Sequence, residues 1–190
     1  MVRRLPALLA LALLAGAASA APYRPPVEPA PKARPQAWIV KKKGEGIWCA
    51  FASLKAAQAA LDSGDYDDEG RAVVWHDHGR MTAIMVSNDS DDAIADDVYY
   101  LDARRKVTRM VRTGHYIQDP LFSVTFAPDW TGRLVMTPAS REVVRLMEQA
   151  EYEPYIIQWP IFAGYDRMPF RNLIRFQPAA VKTGCAFAAS

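Results

Sequence analysis

One pattern recurs three times in the middle of this chain and constrains its fold more than any other feature. A strand-forming run leads into a turn opened by aspartate, then a basic residue, then a second strand-forming run. Val73-Val74-Trp75 passes through Asp77-His78-Gly79-Arg80 into residues 81–86. Residues 98–101 pass through Asp102-Ala103-Arg104-Arg105-Lys106 into 107–111, and residues 122–126 through Asp129-Trp130-Thr131-Gly132-Arg133 into 134–136. Aspartate bonds locally to backbone amides and glycine accepts positive φ, so both belong in tight turns between strands. Three successive hairpins predict one antiparallel meander. Phe122, Val124 and Phe126 alternate with Ser123 and Thr125, the mark of a strand with one buried face.

Helical periodicity flanks the meander. Ser53 can cap a helix over about 53–62, with Leu54, Ala57 and Leu61 on one side. Thr137 and Pro138 open a second, in which Val143, Leu146, Met147 and Ala150 follow the i, i+3, i+4, i+7 rule. Residues 38–41 read as a strand followed by a Gly44-Glu45-Gly46 turn, 155–162 as an edge strand interrupted by Pro160, and 174–176 as a short strand. The expected fold class is α+β: an antiparallel meander sheet of about six to eight strands, with about two helices packed on one face.

The ends of the chain carry a different message. Residues 1–20 have the form of a cleavable secretory leader: Arg3 and Arg4, an apolar run from Leu5 to Ala15, and Ala18-Ser19-Ala20 at the cleavage position. The run is shorter than the roughly 20 apolar residues that span a bilayer, and no later stretch is long and apolar enough for a membrane helix. Residues 21–36 contain six prolines and read as an extended spacer, leaving 37–190 as a single globular domain. The expected location is periplasmic or secreted. There, Cys49 and Cys185 read as a disulfide joining the start of the domain to its end; two buried free thiols are the rival reading.

Charge excludes one function class. The chain has 23 basic and 21 acidic residues, and loss of Arg3 and Arg4 with the leader leaves 21 of each. A net charge of zero argues against nucleic acid as the main partner.

The candidate sites are weak signals, each beside a plainer reading. His76 and His78 are two apart, as metal ligands on one strand face can be, and His115 could complete a zinc site that activates water; the pair also flanks a hairpin turn, where polar residues are ordinary. Asp65, Asp67 and Glu69, with Gly70, match the first half of a calcium loop, but His76 stands where a bidentate glutamate is wanted. The plainer reading is a solvated acidic loop. Residues 88–97 read as a second polar loop, whose acids are offset by Arg104, Arg105, Lys106, Arg109 and Arg112. That basic cluster could meet an anionic partner such as lipid headgroups or a polyanionic glycan. Trp130, on a turn, with Trp159 and Tyr165 near the expected edge strand, could form a surface that stacks on a sugar or anchors a protein. No nucleophile elbow, P-loop, dinucleotide fingerprint, Cys-x-x-Cys or His-Glu-x-x-His motif is present. The favoured expectation is a non-catalytic binding or interaction module of the cell envelope, with an envelope protein or glycan as partner. A metal-dependent hydrolase using His76 and His78, and a calcium-stabilised domain, are the alternatives.

Overall fold

The computed structural model describes residues 35–78, 80–90, 93–116, 122–149, 159–173 and 184–187. The expected leader, the spacer up to residue 34, residues 155–158 of the expected edge strand and the expected strand at 174–176 lie outside the described residues.

Among the described residues, nine strands form one antiparallel sheet: β1 (Pro35–Lys42), β2 (Ile47–Phe51), β3 (Tyr66–Asp77), β4 (Arg80–Ser90), β5 (Ala93–Leu101), β6 (Val107–Tyr116), β7 (Phe122–Pro128), β8 (Leu134–Met136) and β9 (Gly184–Phe187). Their spatial order is β8-β7-β6-β5-β4-β3-β1-β2-β9. From β3 to β8 the order follows the chain, which is the meander that the aspartate-led turns predict. The strand number exceeds the six to eight read from the sequence because Ile47–Phe51 and Gly184–Phe187, not read as strands, pair as β2 and β9, and polar segments lengthen the ladder. Tyr66–Gly70, read as a loop, opens β3; Lys41 meets Asp67 across the β1–β3 pair at 3.3 Å, so opposite charges make acidic residues acceptable in a strand. Of the segment 88–97, also read as a loop, residues 88–90 and 93–97 supply the paired ends of β4 and β5.

One face of the sheet carries the core. Ala72, Val74, Ile84, Val86, Ala95, Tyr99, Met110 and Val124 are buried in one cluster with Ile39 and Trp48. Its cover is the segment 159–173, which buries Met168, Phe170 and Leu173 and packs Phe170 on Trp48 with ring centroids 5.2 Å apart. Fully burying a side chain such as Met168 or Phe170 contributes about 1.5–3 kcal/mol. Residues 159–162 are irregular rather than a strand; Pro160 has no N–H to give a ladder.

Helix α1 (Leu54–Asp62) is capped by the Ser53 hydroxyl, which accepts from the Ala56 amide, and it packs against β1, β2 and β3 through Ala57. Helix α2 (Pro138–Gln149) packs against β7. The Thr137 hydroxyl accepts from the Ser140 amide, and the buried Ser140 hydroxyl accepts from the Thr125 amide at 2.8 Å, which ties helix to strand. Val143, Val144 and Met147 reach the core cluster, whereas Leu146 stays exposed.

Cys49 and Cys185 form a disulfide, directly opposite each other in the β2–β9 pair. Among the described residues no helix is long and apolar enough to cross a membrane.

Candidate functional site

In a meander, alternate connections lie at the same end of the sheet. The β3–β4, β5–β6 and β7–β8 turns, the three opened by aspartate, therefore share one end. Strands lie about 4.8 Å apart, so successive turns at that end are offset by about 10 Å.

Two of these turns are built alike. The Asp102 amide donates to the Lys106 carbonyl and the Asp129 amide to the Arg133 carbonyl, closing three-residue loops. One Asp102 carboxylate oxygen accepts from the Arg104 and Lys106 amides, and one Asp129 oxygen from the Thr131 and Arg133 amides. The Thr131 hydroxyl and these amides hold the Asp129 carboxyl below the usual carboxylate range. The third loop position is left-handed in both, at Arg105 (φ 65°) and Gly132 (φ 84°). Glycine accepts this without strain, whereas an L-residue there costs about 1 kcal/mol. Arg105 carries that cost.

Between these turns and the segment 163–166 lies a groove of about 860 Å³. Arg104, Arg105 and Lys106 form one wall, Thr131 and Gly132 another, and Tyr165 a third. Arg104 and Lys106 are exposed, and neither side chain has an ion-pair partner among the described residues. Tyr165 is half-buried; burial pushes its hydroxyl up, while the nearby Arg105 and Arg171 cations act the other way. Trp130, next to the groove wall at the tip of the β7–β8 turn, is 95 % exposed. Such an indole is a contact surface without an intramolecular use. Asp102 and the exposed Asp166 bring negative charge to the groove; Asp102 and Asp129 each have one oxygen committed to turn amides, and the other Asp129 oxygen lies 3.7 Å from Arg133 Nε.

The remaining candidate residues lie elsewhere. His76, in β3, is buried and its Nδ1 has no hydrogen-bond partner among the described residues; burial lowers its pKa. His78 sits in the β3–β4 turn with φ 46°, is 94 % exposed, and places Nδ1 2.7 Å from Asp77. His115 lies in β6 opposite Ile94. Asp65 is exposed at the turn before β3, while Asp67 and Glu69 run along β3 rather than around a loop. Among the described residues no group of three or more His, Cys, Asp or Glu side chains is gathered in a way that could hold a metal ion. Trp159 packs against the core cluster and lines a different concavity, with Lys41 and Trp48. A further concavity of about 420 Å³, between α1 and the sheet face of Trp38, Val73 and Trp75, is mainly apolar.

One arrangement was not foreseen from the sequence. Arg112, read as part of an exposed basic cluster, is wholly buried and bonded to the equally buried Asp97 through Nε at 2.6 Å and Nη2 at 2.5 Å. Burial raises the Asp97 carboxyl above its usual range, and Arg112 opposes that rise. Arg112 also donates to the carbonyls of Trp159 (3.0 Å) and Pro160 (3.3 Å), while the Tyr99 hydroxyl accepts from the Phe162 amide at 3.1 Å. The network fastens residues 159–162 to the sheet, and the chain then runs directly into the groove wall at 163–166. The available signal was alternation: Ala95, Asp97 and Tyr99 share the inward face of β5. What the sequence alone did not provide was the partner, opposite Asp97 on the next strand. Comparison with known proteins finds no matching family model, no matching curated protein and no matching solved structure.

Proposed function

We propose that this chain is an exported, non-catalytic binding module of the cell envelope, and that it engages its partner through the groove at the turn end of the sheet. The observation that carries the reading is convergence. Thr131, Tyr165 and the cluster Arg104, Arg105 and Lys106 come from three separate stretches of sequence and line one concavity, and the exposed Trp130 is the chain neighbour of Thr131 in its wall. An exposed indole and a half-buried phenol ring near cations favour recognition of an anionic partner that also offers an apolar or planar surface. Export is supported by the leader-like residues 1–20 and by the Cys49–Cys185 disulfide, which fits an oxidising compartment.

The test is co-sedimentation of purified protein with isolated cell-envelope fragments. Wild-type protein is expected to be retained, and Trp130→Ala to lose about tenfold in affinity with an unchanged melting temperature, because the side chain is almost free of internal contacts. Equal retention of the two proteins would remove the groove as the binding surface.

A further inference from the structure

The cations at the turn end form a row, and the row has a direction. Each aspartate-led turn is closed by a basic residue paired with the aspartate's own strand position: Arg80 opposite Asp77, Lys106 after Asp102 and Arg133 after Asp129. Arg80, Lys106 and Arg133 are all exposed. Because these turns alternate with connections at the far end, the three cations step across the sheet at intervals of about 10 Å, two strand spacings each. Arg104 and Arg105 thicken the middle of the row, and the groove opens beside it. The row runs perpendicular to the strands, along the sheet's end rather than into its core.

We propose that the ligand of this surface is a linear acidic glycan, a sugar chain carrying regularly spaced carboxylates, laid across the turn end. The inference rests on the binding-module reading above and names the ligand class of the same site. Three observations select it. Evenly stepped cations suit a chain with periodic negative charge better than a single compact anion. A groove of about 860 Å³ receives part of a chain, whereas a lipid surface needs no concavity. Tyr165 lines the groove with the cations, and the exposed Trp130 adjoins its Thr131 wall; the flat C–H side of a pyranose can cover such a ring while its carboxylate reaches Arg104, Arg105 or Lys106. Arg105 fits the same picture: it occupies the left-handed loop position that the sister turn fills with Gly132, and there its side chain lines the groove beside Tyr165.

Titration calorimetry on the full mature chain tests this with four probes: polygalacturonate as the acidic glycan, dextran as a neutral one, polyglutamate as a carboxylated chain without sugar rings, and phosphatidylglycerol vesicles. Polygalacturonate is expected to bind, to weaken about tenfold or more when salt rises from about 0.05 to 0.5 M, and to outcompete polyglutamate by about tenfold. Dextran is expected not to bind. Trp130→Ala and Arg105→Gly are each expected to weaken polygalacturonate binding severalfold, and Arg105→Gly to leave the melting temperature unchanged or higher, an outcome that a merely structural arginine would not give. Polyglutamate binding as tight as polygalacturonate would overturn the glycan assignment, as would tight vesicle binding without polygalacturonate binding. If no probe binds while Trp130-dependent retention on envelope fragments persists, the glycan falls and the binding module stands. If that retention is absent as well, both fall.

Discussion

Replacing Asp97 by leucine is expected to destabilise the protein by about 3–5 kcal/mol, because it strands the Arg112 guanidinium in the core without its counter-charge. Arg112 is fully buried and cannot turn to water. The same reasoning makes the pair itself a weak source of net stability. Burial raises the Asp97 carboxyl even with Arg112 bound to it, so desolvation outweighs what the partner returns. The double replacement Asp97→Leu with Arg112→Met is therefore expected to recover part of the loss. It should remain about 1–3 kcal/mol below wild type, since the Trp159 and Pro160 carbonyls then lose their donor. Urea unfolding of the three proteins reads this directly. Single and double variants of equal stability would show that Arg112 is held by something other than Asp97.

The pair matters for the groove as well as for stability. Arg112 and Tyr99 together fasten Trp159, Pro160 and Phe162, and Tyr165 follows three residues later. A buried network that is satisfied at each member fixes one arrangement of the segment it holds. The core chemistry thus positions one wall of the groove.

The second large effect is expected from the disulfide. Cys49 and Cys185 are 136 residues apart, so their bond closes almost the whole described chain into one loop. On the chain-entropy account a loop of that length is worth about 5 kcal/mol, and measured losses for native disulfides run about 2–5. The local setting points the same way: β9 has four residues, pairs with β2 and lies at the sheet edge. Without the covalent tie a four-residue edge strand adds little of its own. Cys49→Ala with Cys185→Ala is expected to lower the unfolding free energy by about 2–5 kcal/mol and to raise hydrogen exchange first in β9 and β2. A variant whose denaturation midpoint matches wild type would show that β9 docks without the bond.

The parts legible in the sequence are those whose cause is local. Asp102 and Asp129 open their turns with hydrogen bonds reaching only two to four residues ahead. Ser53 and Thr137 cap helices through amides three residues on. Such contacts can be read from spacing. The polar strand ends were hidden because their stabilising partners are remote: Asp67 is acceptable beside Lys41, and Asp97 beside Arg112. Read alone, each acid argues for a loop. The opposite error came at 159–162, where apolar residues suggested a strand although Pro160 and the core cover above the sheet demanded irregular backbone. The groove was half legible. Trp130, Tyr165 and the basic cluster could each be singled out, and a meander puts alternate turns at one end, but the return of Tyr165 to that end depends on the buried latch.

The most direct test of this turn end as the working surface is a backbone-amide NMR titration of the protein with galacturonate oligomers. The largest shifts are expected at the amides of residues 103–106, 130–133 and 163–166, in one saturable process, with α1 unaffected. Largest shifts beside α1 and Trp38, or none at oligomer concentrations well above those that saturate polygalacturonate binding, would contradict it.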